Sequence, residues 1–271
     1  TYAGADAVIA TRNLTKRYGT IAALNEANIN VPAGTVYGFL GPNGAGKTTA
    51  IRLLMGFTKP SSGRATMFGH DCWHDGLAAR RNVGFLVTAD ALYPDMTGTA
   101  QLDYATRLSG REPVLRRRLL DALELSESAL GRRLGTYSKG MRQKLALIAA
   151  MQHDPELLIL DEPTDGLDPL IQRNFEEILL GLRDRGRTVF MSSHDLAEVE
   201  RTCELVAVVR SGVIVAEERI ADLQRRHASR VSVLFHDDVP DAIDLIPGVS
   251  VESRTGLRVE LLLVGDPNPL L

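Results

Sequence analysis

The stretch Gly41-Pro42-Asn43-Gly44-Ala45-Gly46-Lys47-Thr48, followed by Thr49, limits the fold more than any other part of this 271-residue chain. Its glycines let successive N–H groups curl around an anion with no Cβ in the way. Lys47 adds a point charge, and Thr48 adds a hydroxyl suited to a divalent cation. The pattern G-x-x-x-x-G-K-[ST] carries this meaning only between a strand and a helix. Both flanks fit. TVYGFL is a continuous apolar run, as in a strand buried on both faces. The residues after Lys47 read as a short helix that Gly56 stops. A buried strand that leads through such a loop into a helix predicts an α/β core.

The rest of the chain sorts around that core. AVIATRNLTKRYG and NEANINVPAG alternate apolar and polar residues, which predicts an antiparallel, half-solvated β subdomain. RNVGFLV at 81–87 reads as another buried strand. Residues 97–152 change character and predict helices at 99–108, 114–125 and 139–152, a helical insertion in the α/β core. The β/α rhythm resumes with ELLILDE, a helix at 170–185, RTVFMSS, a helix at 196–203, and the strands LVAVVR and VIVAE. From about 229 the pattern shifts to VSVLF, a proline-bearing link and LRVELLLVG. The expected organisation is therefore one domain over 1–228 and a small β-rich, α+β appendage over 229–271. The chain opens on Thr1 and breaks off at DPNPLL, so the appendage is expected to be truncated.

Candidate chemistry follows from residue type and place. LLILDEP at 157–163 is a buried strand that delivers Asp161 and Glu162 to its C-terminal end, where open α/β sheets bind ligands. Asp161 suits Mg²⁺, and Glu162 suits a general base that polarises a water. His194, in RTVFMSSHD, ends a β run and can reach a terminal phosphate if its strand neighbours the one before Gly41. TYSKGMRQK at 136–144 opens a helix on Ser138, a good N-cap, but its first turn holds Lys139, Gly140 and Arg142 instead of acidic residues. Such a helix start awaits an anion.

Composition narrows the function classes. The formal charge is −3, without the basic footprint of a nucleic-acid binder, so no nucleic-acid partner is expected. Cys72 and Cys203, the two cysteines, suggest neither a disulfide framework nor a metal knuckle. The longest apolar runs, such as 145–151, fall far short of the roughly 20 residues a membrane helix needs.

With order, spacing and context taken together, residues 7–225 resemble the ATP-binding subunit of ABC transporters, of the ABC-2 or drug-exporter type. GPNGAGKTT resembles the Walker A motif and LLILDE the Walker B motif with its catalytic glutamate. TDGLD, ending at Asp168, resembles the D-loop, and SSHD the switch-histidine region. Tyr18 stands where the family keeps an aromatic that stacks on adenine. YSKGM stands where the family's LSGGQ signature belongs. The resemblance implies a P-loop NTPase core, ATP and Mg²⁺ as ligands, and catalytic roles for Lys47, Glu162 and His194. It gives Thr48 and Asp161 to the metal. It gives Tyr18, residues 41–49, Ser138, Lys139, Gly140 and Asp168 to the nucleotide. It also implies a head-to-tail dimer in which the signature helix of one chain points at the γ-phosphate held by the other, so the awaited anion comes from the partner. A homodimer is permitted, because one chain carries a full set of site residues. Departures are Lys139 and Met141 within the signature, Asp165 where Ser or Asn is common, and Thr88 where a glutamine usually senses Mg²⁺ and the attacking water. Thr88 is too short for that role, and Asp90 is a weak substitute.

The expected function is an ATP hydrolase that powers export of a drug-, antibiotic- or lipid-like substrate through a separate integral membrane permease, at the cytoplasmic face of the cell membrane. The alternative is a soluble ABC ATPase acting on a non-transport macromolecular partner, but such proteins often carry two cassettes or a long coiled-coil insertion. A non-hydrolysing scaffold is a third class, and the presence of Glu162 and His194 counts against it.

Overall fold

The computed structural model describes residues 7–86, 91–226, 229–236, 243 and 249–263. Its central sheet has six strands, in the order β11 (Val213–Arg219), β10 (Leu205–Arg210), β4 (Val36–Leu40), β9 (Thr188–Ser193), β8 (Leu157–Asp161) and β7 (Val83–Phe85). From β10 to β7 all neighbours are parallel. β4, β8 and β9 are buried along almost their whole lengths, as their apolar runs require. Phe190 on β9 packs against Tyr37 and Phe39 on β4, with ring centroids 5.7 and 5.6 Å apart. The Tyr37 hydroxyl donates to Glu217 Oε1 at 2.6 Å, which satisfies the polar end of a buried ring.

Helices carry the chain between the strands. α1 (Lys47–Leu54) follows β4, α2 (Gly76–Arg80) precedes β7, α7 (Pro169–Arg183) links β8 to β9, and α8 (Leu196–Thr202) links β9 to β10. The antiparallel subdomain is a second sheet of β1 (Ala7–Tyr18), β2 (Ile21–Ala27), β3 (Asn30–Pro32), β5 (Ser62–Met67) and β6 (His70–Asp71). The helical insertion holds α3 (Gly98–Ser109), α4 (Arg116–Ala122), α5 (Glu127–Leu130) and α6 (Lys139–Met151). α4 is shorter than the 114–125 expected, because Glu124 takes a left-handed conformation at φ 52° just past its end. α5 is an addition to that reading: the Ser126 side chain accepts from Ala129 N–H and starts one further turn.

The chain divides into two compact units, Thr1–Glu217 and Glu218–Leu271. The division falls ahead of the expected 228/229, so α9 (Ile220–Arg226) goes with the second unit. That unit adds an antiparallel sheet in the order β12 (Ser229–Leu234), β14 (Arg258–Leu263), β13 (Val249–Thr255). Val259 and Leu261 on β14 are buried with Ile243, the small core that the alternation in LRVELLLVG leads one to expect.

Candidate functional site

Strand order decides what meets what. β9 lies between β4 and β8, so three C-terminal strand ends stand side by side. They carry Gly41, the Ser192–Ser193–His194 turn, and Asp161–Glu162. The Gly41 N–H donates to the Ser193 carbonyl (3.0 Å), which ties the loop to the end of β9.

The loop from Gly41 to Gly46 is shaped by close approach. A Cβ on Gly41 would stand 2.4 Å from the Val209 carbonyl oxygen, and one on Gly46 would stand 2.4 Å from that of Ala23. Gly46 also sits at φ 110°, which few other residues tolerate. The loop therefore lies hard against β2 and the end of β10. α1 starts without a side-chain cap and without an acid in its first turn. Its amide groups and positive dipole end are thus suited to an anion.

Lys47 is buried, and its ammonium donates to the carbonyls of Gly41 (2.5 Å) and Pro42 (3.2 Å). It also lies 3.0 Å from Glu162 Oε1, as an ion pair rather than an aligned hydrogen bond. Thr48 Oγ donates to Asp161 Oδ2 at 2.8 Å. His194 Nδ1 is 2.8 Å from Glu162 Oε2, and with an ionised carboxylate only the Nδ1–H tautomer makes this bond. Lys47, Thr48, Asp161, Glu162 and His194 thus form one cluster of two contact groups, Lys47–Glu162–His194 and Thr48–Asp161, joined by the adjacency of Asp161 and Glu162 in the chain. Glu162 sits in it with a left-handed backbone, φ 47°. A strained residue of this kind persists only where its surroundings hold it.

What holds it is Ser192, which the sequence reading did not single out. Ser192 is fully buried. Its hydroxyl donates to Asp161 Oδ1 (2.5 Å) and accepts from the Glu162 N–H (3.0 Å). It faces Asp161 through the parallel register of β8 and β9, which the residues around Ser192 do not reveal. Glu198 is a second residue that was missed. Burial raises its pKa above the ordinary glutamate value, against the pull of hydrogen bonds from Ser193 and Thr164.

Other predicted residues lie apart from this cluster. Tyr18 is half exposed at the tip of the β1–β2 hairpin, where it pairs with Ile21, and the Lys16 ammonium stands 4.9 Å from its ring centroid. Asp168 caps α7, accepting from the Ile171 N–H at 3.0 Å. Ser138 caps α6, accepting from the Met141 N–H at 3.2 Å. Gly140 is pressed against the loop after Glu162, where a Cβ would stand 2.9 Å from the Gly166 carbonyl oxygen. Gln143 reinforces that contact by donating to the Pro163 carbonyl at 2.8 Å. Asn43 and Thr49 follow the loop into α1. Thr88 and Asp90 lie outside the described residues.

Comparison with known proteins shows the family of the chain. A family model described as ABC transporter matches residues 24–165. Bacitracin transport ATP-binding protein BcrA of Enterococcus faecalis is 37% identical over 81% of this chain and 72% of its own. Nod factor export ATP-binding protein I of Cupriavidus pinatubonensis is 34% identical over 98% of this chain and 83% of its own. A solved ATP-binding subunit of an ABC transporter superposes with a TM-score of 0.74 at 28% identity, covering 81% of this chain and 92% of that one.

Proposed function

We propose that this chain, which belongs to the ABC transporter family, is the ATP-hydrolysing subunit of an exporter and works through a separate membrane permease. The observation that carries this reading is the cluster at the ends of β4, β9 and β8. It joins a phosphate-cradling loop, a buried lysine, two acids and a histidine through direct contacts.

Each side chain has a task in that reaction. The loop amides and the Lys47 ammonium bind the β- and γ-phosphates of ATP, and Tyr18 stacks on the adenine. Thr48 and Asp161 fit Mg²⁺, since both offer hard oxygen donors and already stand within hydrogen-bond distance of each other. When bound there, Mg²⁺ neutralises charge on the phosphate oxygens. Glu162 takes the proton of the attacking water as general base. The His194 Nδ1–H holds Oε2 of that carboxylate, and Ser192 holds its backbone.

Two partners complete the reading. In the second copy of the chain, packed head to tail, Ser138, Lys139 and Gly140 face the nucleotide held by the first. A solved bacterial ABC transporter cassette with a TM-score of 0.72 is dimeric, which supports this arrangement. The permease docks in an apolar groove of about 670 Å³ whose lining includes Leu77, Phe85, Tyr93, Tyr104 and Leu108. Leu77 and Leu108, 85% and 70% exposed, lie with these aromatic rings along one groove, and grouped exposed apolar side chains mark interaction sites. Transport and export relatives support a membrane occupant for this groove, and with it a place at the cytoplasmic face of the membrane. Among the described residues no helix is long and apolar enough to cross a membrane.

Glu162→Gln tests the reading. It keeps the shape of the base and removes its basicity, so turnover should vanish while ATP binding survives. ATP should then hold a closed dimer, seen as a doubled mass by light scattering. Turnover close to that of the parent protein would refute Glu162 as the base.

A further inference from the structure

Lys139 in the signature and Asp165 in the D-loop both depart from the family pattern, and in the structure they meet. Lys139 Nζ lies 2.8 Å from Asp165 Oδ2. The contact is directed. A Cβ on Gly166 would stand 3.2 Å from Lys139 Cδ and Cε, so the lysine stem runs along a glycine backbone toward the carboxylate. Gly166 itself is at φ 77°, a conformation that suits glycine.

Stability does not account for the pair. Both side chains are more than half exposed, and an exposed ion pair contributes little to folding. α6 is also held to the same loop without it, by Gln143 on the Pro163 carbonyl and by the close approach of Gly140 to Gly166. What the pair does is place one positive and one negative charge at the start of α6, on a helix end with no acid in its first turn.

We propose that Lys139 and Asp165 form a charge switch for the phosphate bound by the partner subunit. The proposal rests on the reading that the signature meets nucleotide in trans. With no phosphate near, Asp165 neutralises Lys139. An anion arriving at the start of α6 competes for the ammonium, so Lys139 turns from Asp165 to the phosphate. Asp165 thus competes with that phosphate for the ammonium and holds closure back. Lys139 promotes the ATP-bound dimer, Asp165 restrains it, and each acts through the other. The loop that receives this change starts directly after Glu162, and the Asp165 N–H donates to the Glu162 carbonyl at 3.2 Å.

The test is a double-mutant cycle on ATP-driven dimerisation in the full chain, with Glu162→Gln added throughout to prevent turnover. ATP half-saturation is read by light scattering. Lys139→Gln should raise it about fivefold and Asp165→Asn should lower it about threefold, as expected for single charges near a phosphate at a solvated surface. Lys139→Gln/Asp165→Asn should stay within about twofold of Lys139→Gln alone, because without the ammonium Asp165 has nothing to withhold, whereas independent charges would multiply to about 1.7-fold of the parent. Additive effects, or no effect from either single change, overturn the switch. Ser138→Asp separates this failure from failure of the trans reading. Aspartate still caps the helix, so the fold survives, but its charge repels a phosphate. If Ser138→Asp abolishes ATP-driven dimers while the cycle is additive, the switch alone is wrong. If Ser138→Asp dimerises like the parent, the trans reading is wrong and the switch falls with it.

Discussion

Ser192→Ala is the sharpest probe of how the site is held. The substitution removes a hydroxyl from a fully buried position and leaves the strand otherwise intact. It deletes the hydrogen bond to the Asp161 carboxylate, of the charged class that contributes about 1.5–3 kcal/mol, and the one from the Glu162 N–H, of the neutral class at about 0.5–1.5 kcal/mol. Thr48 still donates to Asp161 Oδ2, so Asp161 keeps one partner and the sum belongs near the lower end, about 2–3 kcal/mol. For a unit of this size about 1 kcal/mol moves the melting temperature by about 2–4 °C. The unfolding transition should therefore fall by about 4–12 °C in calorimetry. The left-handed Glu162 backbone loses its hydrogen bond at the same time, so the base relaxes from its place. A displacement that raises the barrier by about 1.4–2.7 kcal/mol lowers kcat about 10- to 100-fold. The loop and Lys47 are untouched, so ATP affinity should change less than about twofold, a shift of about 0.4 kcal/mol. Turnover by phosphate release and binding by calorimetry separate these outcomes. A variant that melts lower but turns over like the parent would show that Ser192 supports the core and leaves Glu162 in place without it.

Other expectations are as direct. Tyr18→Ala should weaken ATP binding by about 1–3 kcal/mol, the usual contribution of an aromatic–base stack, and leave the Mg²⁺ preference unchanged. Titration calorimetry showing unaltered affinity would make Tyr18 a surface residue with Lys16 over its ring. Glu198 gives a pH signature. Its folded pKa is raised by burial, so the folded state holds the proton more tightly, and this contribution is full below the unfolded value of about 4.3 and fades as pH rises through the folded one. Glu198→Gln does not titrate. The melting temperature of the variant minus that of the parent should therefore rise from about pH 4 to about pH 7, and a flat difference across that range would contradict the assignment.

Much of this site was legible because its parts are short words at strand ends. A glycine loop with lysine and threonine can be read where it stands, and so can an acid pair behind four apolar residues or a histidine closing a β run. The buried strands were legible for a related reason: VYGFL, LLILD and TVFMSS carry too little polar surface to face water. What escaped lies across strands and loops. Ser192 acts on Asp161 and Glu162 only because β9 is inserted between β4 and β8, and a choice of strand order leaves no mark on the residues beside Ser192. Gly140 was read as backbone open to a phosphate, whereas it also has to admit the Gly166 carbonyl. A carboxylate placed there would strain the chain before it repelled any ligand, which makes Ser138 the cleaner position to charge. Lys139 and Asp165 were noted one at a time as departures in different motifs. A lysine in the signature looks like an addition of charge, and an aspartate in the D-loop looks like a mild exchange of one polar residue for another. Only their contact shows that the two changes nearly cancel in charge. Two departures that neutralise each other at the start of one helix are better explained together than apart, and a cation tethered by an exposed carboxylate is easily drawn away by an anion of higher charge.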